Sequence, residues 1–296
     1  MNDLEISIKS QRSVLNRFWS KTPLILRAVL TGFIVNSIGV GTWLLVIMFL
    51  PGYWALVFMS LFLWAYVKFF SGSWWPRNTS EFRKVNFRKT RLSRISWQWG
   101  LISAVLFVLV FQSGLMVTFR FIEYPAEIFK SEYNFDTMPL SYAWIGLIMA
   151  SLVAGICEET GFRGYMQAPL EKKYGPLKAI TIVSVVFVLV HLHQAWAWPI
   201  LFQIFAAGAF FGIMAFRTGS LIPGIIAHTV MDIFNFSYWW SDVLGKFEKA
   251  PISVSGIDTH FIFWFAVFIF SIPLFLWATR RAQISQVKTK SHIIGD

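Results

Sequence analysis

The sequence predicts an all-α, polytopic membrane protein of about eight transmembrane helices with both termini on the cytoplasmic side. Three observations lead there. The 296 residues are 56% hydrophobic and only 14% charged, with a mean hydropathy of +0.58, too apolar for a soluble globule of this size. Apolar runs close to the roughly 20 residues that a helix needs to cross a bilayer recur along the chain. Lysine and arginine gather on alternate loops, the pattern of the positive-inside rule.

The first 22 residues are polar, and the apolar run that begins near Pro23 is longer than a signal-peptide core, so no cleavable signal is expected. Spans fall near 25–50 and 53–71, joined by a tight turn at Pro51-Gly52, and then near 97–119, 142–167, 178–195, 199–216, 221–238 and 260–279. Pro169 disfavours helix at Ala168, which sets the end of the fourth span near Gln167. Trp54, Trp74, Trp75, Trp97, Trp99, Trp196, Trp198, Trp239 and Trp240 lie near span ends, as an aromatic belt does. Cys157 is the single cysteine, so there is no disulfide framework to read.

A net charge of +11 invites a nucleic-acid reading. Threading the chain through eight spans removes most of its force. One side then holds Lys9, Arg12, Arg17 and Lys21, the loop with Arg77, Arg83, Lys84, Arg88, Lys89, Arg91 and Arg94, the group Lys172, Lys173 and Lys178, and the tail with Arg280, Arg281, Lys288 and Lys290. The other side has Arg120, Lys130, Lys246 and Lys249. The charge therefore reads as topology, with attraction to anionic headgroups of the lipid bilayer as a second effect. The basic loop at 77–94 lacks a nucleic-acid reading motif, and no nucleic-acid partner is expected.

Charge inside the spans is the functional signal. Burying an ionised carboxylate in hydrocarbon costs at least a few kcal/mol, so an intramembrane acid marks a functional site when a partner can be named. Spans one to three carry no acid or histidine at their centres and read as scaffold, whereas spans four, five and seven hold Glu158, Glu159, Arg163, His191, His193, His228 and Asp232. Helical spacing puts His228 and Asp232 on one face, Phe187 and His191 on one stripe, and Glu159 within reach of Arg163, leaving Glu158 without that counter-charge. His191 and His193 are two apart and point in different directions. Counting from the cytoplasmic ends, Glu158, His191 and His228 lie roughly 14, 20 and 12 Å up, compatible with one layer.

Taken singly, each feature has a structural reading. Glu158-Glu159 fits a span end at the headgroups with Arg163 as a surface pair, His191 an interhelical hydrogen bond, and His228-Asp232 a structural polar pair. His193 fits a near-interface residue, and His260 and His292 fit solvated positions. Joint occurrence at compatible depth favours a shared site.

Glu158-Glu159-x-x-x-Arg163, then Phe187-x-x-x-His191, then His228-x-x-x-Asp232 resembles the three ordered motifs of the CAAX prenyl protease and bacteriocin-processing (CPBP, or Abi) family of intramembrane proteases. The resemblance covers about residues 142–237 and extends to Gly161-Phe162-Arg163-Gly164 and to the stretch from Thr218 to Pro223. It implies an endopeptidase acting on a membrane-associated or lipid-modified peptide or protein, either prenylated or a leader peptide. Glu158 would be the base for water, His191 would hold that water, His228 would stabilise or protonate the tetrahedral intermediate, and Glu159 with Arg163 would fix the geometry. Where relatives carry Asn, this chain has Asp232, which leaves it to orient His228, to donate while protonated, or to join a metal. Two mechanisms stay open: an unliganded water with no cofactor, or a divalent metal such as zinc on His191, His228 and a carboxylate, Glu158 or Asp232.

The implied division is 1–140 as the cytoplasmic N-terminus and scaffold spans one to three, 141–238 as the catalytic core of spans four to seven, and 239–296 as an outer loop, span eight and a basic cytoplasmic tail. The implied location is a bacterial cytoplasmic membrane, with the eukaryotic endoplasmic reticulum membrane as the alternative. Two other classes accommodate buried Glu, His and Asp: a proton-coupled transporter or ion-binding protein, and a non-catalytic scaffold derived from a protease.

Overall fold

The structure, a computed structural model, describes residues 19–124, 138–194, 198–238 and 243–294. Lys9, Arg12, Arg17, Lys130, Trp196, Trp239 and Trp240 lie outside the described residues, as do the side chains of Lys288, Lys290 and His292. Among the described residues every regular element is helical. The helices are α1 (Leu24–Phe49), α2 (Tyr53–Phe70), a 3-10 helix (Arg77–Thr79), α3 (Ser80–Asn86), α4 (Arg94–Thr118), α5 (Leu140–Glu158), a π-helix (Glu159–Met166), α6 (Gln167–Tyr174), α7 (Pro176–Val190), a 3-10 helix (Leu192–Gln194), α8 (Trp198–Thr218), α9 (Ile222–Phe236), α10 (Ile252–Ser255) and α11 (Thr259–Ile294).

The chain is a polytopic helical membrane protein. Six helical stretches are long and apolar enough to cross a bilayer: α1, α2, α4, the continuous run Leu140–Tyr174, α8 and Thr259–Val287. At 15 residues each, α7 and α9 are about 22 Å long against a hydrocarbon core of about 30 Å. In the fifth span, predicted at 178–195, the α-helix ends at Val190 and a 3-10 turn, Leu192–Gln194, follows; His191 is the reason for the break. Its ring Nδ1 lies 2.7 Å from the Phe187 carbonyl, while its backbone N–H bonds Val188 instead, at 3.0 Å. The side chain takes the acceptor that a continuing helix would need.

The fourth span departs in the other direction. Helix does not stop at Gln167 but runs on through Pro169 to Tyr174. The tail beyond 279 is likewise helical: Gln286 Nε2 donates to the Arg91 carbonyl at 3.0 Å and the Ser96 hydroxyl to that of Ala282 at 3.4 Å, extending the antiparallel packing of α11 on α4. The Pro51-Gly52 turn holds as read, with Gly52 at φ +51°, a left-handed backbone that glycine adopts without strain.

α9 packs on both α5 and α4, and α8 on α7, α4 and α11, so the site helices sit between two flanking groups. α1 crosses the π-helix so closely that a Cβ on Gly161 would lie 2.7 Å from the Gly32 carbonyl oxygen, and one on Gly32 2.7 Å from that of Gly161. The basic loop is more than a topology signal. Arg83 is buried and donates to the carbonyls of Phe69, Trp74 and Pro76. Arg88 donates to the Arg163 carbonyl at 2.9 Å and pairs with Glu171 at 2.8 Å, tying the loop to the far side of the π-helix.

At the opposite end, buried Arg120 clasps the segment before α11. Its guanidinium donates to Asp258 at 2.8 Å, to Ser255 Oγ at 2.8 Å and to the Ala250 carbonyl at 3.0 Å, and its own carbonyl accepts from Ile252 N–H at 2.8 Å. His260, read from sequence as solvated, is half-buried with Nδ1 3.3 Å from the same guanidinium.

Two outcomes follow. Gly161→Ala should lower stability by about 1–3 kcal/mol through overpacking against α1, read as an earlier thermal transition in detergent. The Arg120 guanidinium, with the Phe261 N–H, holds the Asp258 carboxyl down at about 2 against its ordinary 3.8. A folded-state value depressed in this way gives stability that is complete above pH 3.8 and lost as pH falls toward 2. Hydrogen exchange at Ile252 should quicken across that window in the wild type, and Asp258→Asn should remove the pH step.

Candidate active site

The site is built on the junction between α5 and the π-helix. All eight residues of Glu159–Met166 are buried, including Glu159 and Arg163. The wider π turn re-aims the side chains after Glu158, a device common at functional sites. Such burial is tolerable only with partners, and they are present. Arg163 Nη1 lies 3.2 Å from Glu159 Oε1, and the guanidinium sits 4.4 Å from the Phe187 ring centroid and 4.9 Å from that of Phe211, within cation–π range of both. A Cβ on Gly224 of α9 would come within 3.1 Å of Glu159 Oε2, so this glycine makes room for the carboxylate.

His228, on α9, places Nδ1 3.1 Å from Glu159 Oε1. A carboxylate paired with arginine accepts, so Nδ1 carries the proton and Nε2 is left facing the cavity. That Nε2 is 3.9 Å from Glu158 Oε2 and 3.7 Å from Asp232 Oδ2. Phe211 stacks on the imidazole at 4.7 Å and 20°. Helical spacing confined Glu159 to Arg163; the structure has it hold Arg163 and His228 together.

His191 arrives from the truncated end of α7. Because the Phe187 carbonyl can only accept, Nδ1 donates to it and Nε2 is again the free nitrogen, 4.0 Å from Glu158 Oε2. One oxygen of Glu158 therefore lies nearly equidistant from two imidazole nitrogens on two other helices. It is buried and has no hydrogen-bond partner. His193 stays outside this group, exposed on the turn after α7, with its ring 6.0 Å from that of His191.

These groups open on a cavity of about 180 Å³ whose remaining walls are largely apolar, Phe111, Leu115, Ile204 and Met231 among them. Two amides, Gln203 and Asn235, also line it. Phe211, Gln203 and Asn235 were given no role by the sequence. Asn235 was findable, because 228, 232 and 235 share one helical face, and Gln203 is a lone amide in an apolar span. Phe211 was not, being one of 31 phenylalanines.

The donor types suit zinc, but their placement does not. Among the described residues no group of three or more His, Cys, Asp or Glu side chains is disposed to hold a metal ion. Neighbouring ligands of a tetrahedral zinc stand about 3.3 Å apart, whereas Glu158 Oε2 is 3.9 and 4.0 Å from the two Nε2 atoms. Separations near 4 Å instead suit one water shared between the groups.

Residues 139–234 match the family model of type II CAAX prenyl endopeptidase Rce1-like proteins. The match contains all three motifs, so the family resemblance read from them holds. No curated protein and no solved structure matches the chain.

Removing one partner of the buried ion pair should be costly. Glu159→Leu is expected to lose about 3–5 kcal/mol by stranding Arg163, and Glu159→Leu with Arg163→Met should recover part of it. Thermal unfolding of the two variants in one detergent checks this.

Proposed function

We infer that this integral membrane peptidase, Rce1-like across residues 139–234, hydrolyses a peptide bond in a membrane-associated or lipid-modified substrate, with Glu158 activating an unliganded water. The observation that carries the reading is the buried, partnerless Glu158 Oε2, 4.0 Å from His191 Nε2 and 3.9 Å from His228 Nε2, at the wall of the cavity.

A water among these atoms gives one hydrogen to Glu158 Oε2 and is aligned by a hydrogen bond to His191 Nε2, whose lone pair is fixed by the Nδ1 contact to Phe187. The hydroxide adds to the substrate carbonyl carbon, and the carbonyl oxygen takes the negative charge. As an imidazolium, His228 offers Nε2–H to that oxygen while Nδ1–H stays on Glu159. Glu158 then returns its proton to the amide nitrogen as the C–N bond breaks, releasing a carboxylic acid and an amine. Asp232, 3.7 Å from His228 Nε2, orients the ring from its free edge. Phe211 and Arg163 keep the imidazole plane and the Glu159 carboxylate in place.

The low-dielectric walls strengthen each of these polar contacts. The substrate we assign is a peptide held at the membrane, with a prenylated C-terminus as the first probe and a leader peptide as the second.

Purified protein assayed on both should lose about 10²–10⁴ in kcat on Glu158→Gln, with large losses for His191→Ala and His228→Ala. Chelator should leave wild-type cleavage unchanged; loss restored by zinc would overturn the metal-free route. Undiminished cleavage by Glu158→Gln would remove that residue as the base, and proton flux in liposomes without peptidolysis would replace the peptidase with a transporter.

A further inference from the structure

We propose that Gln203 is a substrate-binding residue whose side-chain carbonyl accepts a backbone N–H of the bound peptide; the inference rests on the peptidase reading above. Gln203 lies on α8 and lines two cavities at once. One holds Glu158 and the histidines. The other, about 390 Å³, is formed by α4, α8 and Phe268 of α11, is almost wholly apolar, and has Trp198 and Phe202 on its wall, both exposed on the bundle surface. The two share Phe111, Gln203 and Ala207, so Gln203 is the polar side chain where they adjoin.

The orientation of its amide is fixed by its partners. Nε2 donates to the Gly114 carbonyl at 2.9 Å and also contacts Thr118 Oγ1. A carbonyl cannot donate, so the NH₂ group must face Gly114 and the amide cannot be flipped. Oε1 is therefore the free end, and it is buried without a hydrogen-bond partner. Buried acceptors in native proteins are nearly always satisfied, and an orphan in a binding cavity points to a donor supplied by a ligand. Among the described residues beside it, Phe111, Ala207, Phe107 and Phe210 are apolar and carry no side-chain donor, and the Thr118 hydroxyl meets the Nε2 end of the amide.

The lone pair also selects the chemistry of what it meets. It takes an N–H, and it repels phosphate, carboxylate and carbonyl oxygen. A peptide in extended form presents N–H groups at regular intervals beside its scissile bond. An acyl or isoprenoid chain offers none, so Gln203 would read the peptide part of a lipid-modified substrate.

The test uses a fluorogenic S-farnesyl peptide with a CAAX end and a set of ester analogues, each lacking one backbone N–H near the cleaved bond. In the wild type one analogue should show a KM raised about five- to tenfold, with kcat little changed. Gln203→Leu should raise KM for the parent peptide similarly and make the enzyme indifferent to that one ester. Equal KM values for all esters in the wild type, or an ester loss that persists in full in Gln203→Leu, would overturn the proposal. The ester series needs no altered protein, so a folding defect in the variant cannot hide the answer. Binding of the same peptides to Glu158→Gln, followed by fluorescence anisotropy, separates the two readings. Gln203-dependent binding without any wild-type cleavage sinks the peptidase and keeps the binding site. Cleavage with a Gln203-independent KM sinks only the binding site, and neither binding nor cleavage overturns both.

Discussion

Glu159 and Arg163 form an ion pair 3.2 Å long with both side chains fully out of contact with solvent, and the site is arranged around that pair. Two charges in such a place are stable only together, because desolvating either one alone costs several kcal/mol. The pair demands the surroundings that are observed: a π turn that aims both side chains into one space, aromatic faces of Phe187 and Phe211 against the guanidinium, and a glycine on α9 where a side chain would meet the carboxylate. The same Glu159 oxygen then receives His228 Nδ1–H. A helix-to-helix contact made for charge balance thereby fixes which imidazole nitrogen is available.

The two histidines are set by one rule applied to different acceptors. His228 spends Nδ1 on a carboxylate and His191 spends it on a backbone carbonyl, and in both the remaining Nε2 faces Glu158. Neither choice needs a metal to hold it. Support also comes from outside the core: Arg88 in the basic loop fastens the Arg163 carbonyl and pairs with Glu171 of α6, so the π-helix is held from both faces.

The sequence showed the class of fold well, because hydropathy and the distribution of Lys and Arg are direct responses to a bilayer. It also singled out Glu158, His191, His228 and Asp232 as candidates, because charge in an apolar span is conspicuous, and the fold brings these four side chains to one cavity. What it hid were interactions that depend on three-dimensional neighbours. The second partner of Glu159 is 69 residues away, and no helical spacing announces it. The α-helix of span five ends at Val190 and a 3-10 turn follows at Leu192–Gln194, a break that the length expected of a span does not announce and that a single side chain-to-backbone hydrogen bond at His191 decides. Arg83 and Arg88 looked like ordinary cytoplasmic charges, since nothing in a run of basic residues says which of them is buried.

The two short helices carry a consequence for the membrane itself. α7 and α9 bear the two site histidines at its end and within it, and both present side chains outward, Leu177 and Leu189 on one and Ile222 and Phe234 on the other. A lipid annulus meeting helices of about 22 Å must compress or tilt its chains to cover them. Deformation of that kind would shorten the hydrocarbon path at this face of the protein. The acyl-chain length of the host membrane would then bear on the two short helices that carry His191 and His228.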